Sequence, residues 1–147
     1  MPVLSEGSLK FSFGVSCRVE KYDEWRFFRN QFQKTCDGAK AIDMVCVSNK
    51  TSWLIEVKDY RRHKRTKPLE IGDEVAIKVR DTLAGLVAAK MNAADPNEKQ
   101  FAKLALQSKS IKVVLHLEQP QKHSKLFPRA IDPAAGQANF KTAAKGH

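Results

Sequence analysis

Cysteine is sparse in this chain, long apolar runs are missing, and acids are the scarcer charge. Three cysteines, Cys17, Cys36 and Cys46, stand singly among 147 residues. They form no CxxC pair and have no histidines at metal-ligand spacing, which excludes a disulfide-built scaffold and a structural zinc site. Cys46 sits inside an apolar run and reads as a small core residue rather than a nucleophile. No stretch approaches the ~18 consecutive apolar residues of a membrane span. The opening "MPVLSEGSLKFSFG" lacks the uninterrupted apolar segment of a secretory signal. A reducing, cytoplasmic setting with no membrane partner is therefore the expectation. There is no internal repeat. Against 16 Asp plus Glu stand 26 Lys plus Arg, a net charge of +10, with 42% hydrophobic residues. That hydrophobic share suits one folded domain with a sizeable core. The charge favours a polyanionic partner: DNA, RNA or an anionic surface.

What is present reads as alternating strand and helix signals. Residues 9–13, "LKFSF", alternate apolar and polar as a half-buried strand does, and 15–22 are a weaker strand. In "DEWRFFRNQFQK" the helical spacing of Trp25, Phe28 and Phe32 predicts a helix, although Phe27 adds strand character; "TCDGAK" is a loop. Residues 42–47 and "WLIEV" are strands joined through "SNKTS", a link short enough to require an antiparallel hairpin. After Pro68 the period becomes 3.6. Val75, Val79, Leu83 and Leu86 mark a helix over 73–92, with Asp73 as its N-cap. A second helix over about 97–108 and a buried strand at 111–117 follow. The expected fold is α/β, a mixed sheet with a central hairpin flanked by helices, over residues 1–119. Residues 120–147, with three prolines, read as an irregular basic C-terminal arm.

The hairpin carries the chemistry. A register with Asp43 opposite Lys58, Val45 opposite Glu56 and Val47 opposite Leu54 puts Asp43, Glu56 and Lys58 on one face near the open end. Ile42, Met44, Trp53, Ile55 and Val57 then cover the other face. Two such carboxylates repel each other, and a divalent cation relieves the repulsion by binding both. Oxygen-only ligation suits Mg²⁺ or Mn²⁺ rather than zinc. Such an ion could polarise a phosphate and acidify a water, with Lys58 orienting that water or stabilising developing charge. The plainer alternative is a cross-strand ion pair of Asp43 and Lys58, worth only ~0.2–1 kcal/mol.

Asp43, twelve intervening residues, then Glu56-Val57-Lys58 resemble the PD-(D/E)xK phosphodiesterase superfamily, over roughly residues 15–117. The resemblance implies a restriction-endonuclease-like fold and metal-dependent hydrolysis of nucleic acid, most simply DNA. By that likeness Asp43, Glu56 and the Val57 carbonyl are ligands of Mg²⁺ or Mn²⁺, and Lys58 is the catalytic lysine. A further acid from the N-terminal third is implied, with Asp23 favoured slightly over Glu20 and Glu24. Ile42 stands where the family often has proline. A homodimer is the arrangement that paired cuts commonly need. The competing reading is a non-catalytic basic nucleic-acid-binding or assembly protein on the same fold.

"DYRRHKRTK" supplies Arg61, Arg62, Lys64, Arg65 and Lys67 directly after the hairpin. Beside a phosphodiester site these are nucleic-acid contacts; elsewhere such a run is a solvated loop. Lys78 and Arg80 on the following helix are weaker candidates. His63, His116 and His123 lack partners at ligand spacing, and His116 reads as a satisfied strand residue. Trp25, Phe27 and Phe28, interleaved with Arg26 and Arg29, could stack on bases, but core packing is the stronger expectation.

Overall fold

The computed structural model describes residues 2–120, so the expected C-terminal arm lies, but for its first residue, outside the described residues. Two antiparallel strands come first, β1 (Val3–Glu6) and β2 (Leu9–Ser12), with Glu6 opposite Leu9. Gly7, at φ 59°, makes the turn between them; that left-handed conformation costs glycine nothing. A second, four-stranded sheet is formed by β3 (Arg18–Glu20), β4 (Met44–Ser48), β5 (Thr51–Asp59) and β6 (Ser110–Glu118), in that order. The first three run antiparallel, whereas β6 lies parallel to β5. A parallel neighbour requires a crossover, here made by α1 (Ile71–Asn92) and α2 (Pro96–Leu106). The mixed α/β class expected from the sequence is therefore correct. Among the described residues no helix is long and apolar enough to cross a membrane.

Residues 22–37 do not contain the single helix that the spacing of Trp25, Phe28 and Phe32 predicts over 23–34. They make short turns, Tyr22–Glu24, Phe28–Phe32 and Thr35–Asp37. Tyr22, Trp25, Phe27 and Phe28 are all buried. One straight helix would send adjacent Phe27 and Phe28 to different sides, so the chain breaks to bury both. The break is held by Glu98 of α2, whose carboxylate accepts from the Arg26 and Phe27 amides at 2.9 and 3.1 Å. These aromatics are core, as expected, and are not available to stack on bases. The start of α1 also differs: Glu70, in extended conformation, is the N-cap, and Asp73 lies within the first turn. In α2, Asp95 accepts from the Asn97 and Glu98 amides, with Pro96 in the first turn, a strong helix start.

The β4–β5 register is two residues tighter than expected. Val45 faces Leu54 and Val47 faces Ser52. Asn49 and Lys50 alone make the turn, at φ 51° and 63°, the positive values that a two-residue hairpin turn demands. Because side chains alternate with period 2, an even slip leaves the residues of the paired strands on their expected faces. What that face packs against is a correction. Val45, Val47 and Leu54 belong to the main core, and the Ser52 hydroxyl donates to the Ala105 carbonyl of α2 at 2.8 Å. The acids thus share the helix-covered face instead of projecting from a polar one. Ile42, expected on the opposite face, also enters this core. The strand begins only at Met44, and the Ile42 amide donates to Thr82 of α1 at 2.9 Å.

Tyr22 crosses α1 at Gly85, where a Cβ would lie 1.9 Å from the phenol oxygen. Gly85→Ala is expected to destabilise the protein by about 1–3 kcal/mol through overpacking, measured by urea denaturation. Adding Tyr22→Phe should recover only part of the loss, because the ring's Cζ and Phe32 remain at 3.1 and 3.3 Å. A Gly85→Ala protein as stable as the parent would rule out this close approach.

Candidate functional site

Asp43 immediately precedes β4, and its Oδ2 accepts the Val57 amide of β5 at 2.7 Å. The carboxylate extends the hairpin's pairing past the first residue of the strand, and it meets the amide of Val57. Glu56 is 1% exposed. Its Oε2 receives the Lys78 ammonium from α1 and, at 3.3 Å, that of Lys58, while its Oε1 has no hydrogen-bond partner. Lys58 continues to Glu74 of α1 at 2.7 Å, where Lys67 (2.7 Å) and Arg65 (2.8 Å) also converge. Burial pushes the Glu74 carboxyl up, but Lys58, Lys67 and Arg65 outweigh it and hold it at about 2.

A second set of acids lies beside this network. Carboxylate oxygens of Glu6, Asp23 and Asp43 all come within 4.8 Å of one another. Burial, then the charges of Asp43 and Glu6, raises Asp23 to about 7. Burial, then the charge of Glu56, raises Asp43 to about 6. A cleft of about 610 Å³ opens over the two aspartates, with Arg29, Lys40, Lys67 and Lys78 also in its lining.

The structure therefore brings Asp43, Glu56 and Lys58 together, and of the three N-terminal acids it is Asp23 that lies beside Asp43. Glu20 is perturbed instead by burial and by Arg18, Glu98 and Asp95, and Glu24 pairs with Lys21 at 2.7 Å. The basic loop divides. Arg65 turns inward to the Tyr60 hydroxyl, the Leu69 carbonyl and Glu74. Arg61 clamps Asp59 at 2.7 Å and reaches Ser8. Arg62 and Lys64 are exposed, and Lys67 keeps 60% of its side chain exposed while bound to Glu74. Arg80 pairs with Asp81 and stays mostly in solvent. His116 is satisfied on its strand by Glu118 at 2.9 Å and by the Phe11 ring; His63 is exposed, and His123 lies outside the described residues. Sequence reasoning passed over Glu74 and underweighted Lys78, although they lie four residues apart on α1, a spacing that places them on one face. Glu6 gave no signal at all, because its short strand was not legible.

Glu6, Asp23 and Asp43 offer only carboxylate oxygens, and the buried Asp23 Oδ1 among them has no hydrogen-bond partner; such a donor set fits a hard divalent cation.

No protein-family model matches the chain, and no solved structure matches it. The chain is 35% identical, over 165 aligned residues, to the cysteine--tRNA ligase of Neisseria meningitidis serogroup A / serotype 4A. The match takes in 91% of the chain but 24% of that relative. The chain thus spans about a quarter of the relative's length. This kinship overturns the nuclease resemblance and the DNA-hydrolysing activity inferred from it, since the relative is a tRNA ligase. The physical reason lies in the network above. An acid, a second acid and a lysine on one sheet face also satisfy a buried ion-pair cluster, and a short charged pattern cannot tell the two uses apart.

The raised acids give the metal-free protein a pH dependence of definite sign. Folded Asp23 and Asp43 hold protons up to about 7 and 6, against an ordinary value of 3.8. The folded state thus takes up protons between pH 4 and 7 that the unfolded chain does not, and stability falls as pH rises through that window. In EDTA the melting midpoint should be higher at pH 5.5 than at pH 8, and Asp23→Asn should flatten the difference. A midpoint that climbs from pH 5.5 to pH 8 would contradict the placement of these acids.

Proposed function

We propose that this chain is a non-catalytic binding module for tRNA. The observation that carries the reading is the exposed part of the basic loop, Arg62, Lys64 and Lys67, opening beside a cleft whose lining adds Arg29, Lys40 and Lys78. Set in a chain of net charge +10, this surface suits a phosphate backbone. The kinship with a cysteine--tRNA ligase supports tRNA as the polyanion and disfavours duplex DNA. The assignment stops at binding; aminoacylation is the activity of a protein of which this chain spans about a quarter.

In this reading the loop cations divide their labour. Arg62 and Lys64 meet phosphates, while Arg61 and Arg65 hold the loop to Asp59 and Glu74. Asp23, Asp43 and Glu56 would hold Mg²⁺ or Mn²⁺. The ion supplies positive charge at the acidic floor, which would otherwise repel a phosphate. Lys58, between Glu56 and Glu74, keeps the floor neutral on its inner side.

Fluorescence titration of tRNA at increasing salt tests the proposal. Affinity should fall steeply with salt, and replacing Arg62 and Lys64 together by alanine should lower the log–log slope by about 1.5, at ~0.7–0.9 per phosphate contact. Duplex DNA of equal length should bind more weakly. A flat salt dependence, or equal binding of DNA, would remove the tRNA reading. The stoichiometry of the same titration separates one copy per tRNA from the two of a homodimer.

A further inference from the structure

We propose that Glu6, on the N-terminal hairpin, is a ligand of a divalent cation shared with Asp23 and Asp43, so that the cation fastens β1 and β2 onto the rest of the domain. The inference rests on the divalent-cation reading above but not on tRNA binding.

Three elements far apart in sequence send one carboxylate each to this point: β1, the turn at 22–24, and the residue before β4. Among the described residues, the ammonium paired with one of these three acids is that of Lys21, which lies 3.0 Å from Glu6 Oε2. Lys21 is shared, because it also donates to the Ser5 carbonyl at 2.8 Å and pairs with Glu24 at 2.7 Å. Lys58 is bound to Glu56 and Glu74, and Lys78, bound to Glu56, offsets only part of the rise that burial and Glu56 impose on Asp43. Independently, the buried Glu56 carboxyl stands against that of Asp43 with its Oε1 unpartnered. Two carboxylates so placed, one of them almost fully buried, point to a cation between them and the other acids. A charge of +2 would offset two of the three charges of Glu6, Asp23 and Asp43, leaving Lys21 to be shared between Glu6 and Glu24.

The consequence falls on the hairpin. Its side-chain ties to the domain include Lys21 to the Ser5 carbonyl, Arg61 to Ser8 at 3.1 Å, and the Phe11 ring edge-on to His116 at 5.0 Å. Those residues are exposed or half-buried, and polar ties in solvent contribute little. A metal bond from Glu6 would be the hairpin's strongest attachment, and β1 and β2 would be held closely only when the cation is bound.

The test uses the full chain without nucleic acid. Mn²⁺ affinity is measured by electron paramagnetic resonance, and hydrogen exchange is followed over residues 3–12. Mn²⁺ should slow exchange in the hairpin of the parent protein. Glu6→Gln should weaken Mn²⁺ binding by at least about tenfold and abolish the hairpin's protection while leaving the main sheet unchanged. Because Glu6→Gln also breaks the pair with Lys21, Lys21→Met serves as the second variant. It removes the same pair but frees the carboxylate, and should bind Mn²⁺ more tightly than the parent. Unchanged affinity in Glu6→Gln, or a hairpin indifferent to Mn²⁺, overturns the proposal. Failure of the parent to bind Mn²⁺ at all would overturn it together with the cation reading, while tRNA binding, judged by its salt dependence, would stand.

Discussion

The burial of Glu56 is the constraint around which the domain is arranged. A carboxyl group with 1% exposure gives up its hydration, and close, well-placed cations offset that loss. One comes from the same strand, Lys58, and one from α1, Lys78. The pairing fixes the rotation of α1 about its axis and its height against β5. One turn earlier on the same helix face, Glu74 collects Lys58, Arg65 and Lys67, so the loop between β5 and α1 is pinned by the same device. Strand, loop and helix are joined by a chain of alternating charge in which each member neutralises its neighbours. Removing a carboxylate from such a chain would strand its cations, which is more costly than losing the pair itself.

This network also decides what the basic loop can offer a ligand. Read as a string of letters, residues 61–67 present five cations of equal standing. In the folded protein Arg65 is committed to Glu74 and the Leu69 carbonyl, and Arg61 to Asp59. A guanidinium held by two or three acceptors has little left for a phosphate. The loop's affinity for a polyanion therefore resides in Arg62, Lys64 and the solvent side of Lys67, while the arginines give those residues a fixed base. Net charge drives the encounter, but the distribution of ion pairs sets which charges make contact.

Much of the fold was legible because its signals are periodic. The helical spacing of Val75, Val79, Leu83 and Leu86 located α1, and the apolar run at 111–117 located β6, although that strand is half-buried to exposed and not buried as expected. The hairpin was assigned a register two residues too long, yet Asp43, Glu56 and Lys58 still fell on one face, since an even slip conserves parity. Legibility ended where tertiary contacts override local pattern. Residues 22–37 break into short turns because Phe27 and Phe28 must both be buried and because Glu98 of α2 accepts from the Arg26 and Phe27 amides. Glu6 was invisible for a related reason: a four-residue strand has too few positions to display alternation. The same limit misled the functional reading. Asp43, Glu56 and Lys58 were placed together correctly, but proximity of two acids and a lysine is shared by ion-pair clusters and by reactive centres, so their spacing alone did not carry an activity.

The two groups of acids at this centre have opposite electrostatic situations, and the contrast explains where the site can respond. Glu74 is drawn down to about 2 despite its burial, because lysine and arginine side chains from the chain itself surround it. Asp43 and Asp23 are driven up to about 6 and 7, because burial and neighbouring acids act on them with too few cations near. The first group is satisfied internally, and its contribution is spent on holding β5, the loop and α1 in place. The second carries a deficit of positive charge that protons, a divalent ion or both must fill. Since Asp23, Asp43 and Glu6 come from three separate segments, whatever fills that deficit also ties those segments together. A rigid, self-neutralised network thus backs an unneutralised one at the mouth of a cleft, and the acids rather than the basic loop form the part of the site that senses its surroundings.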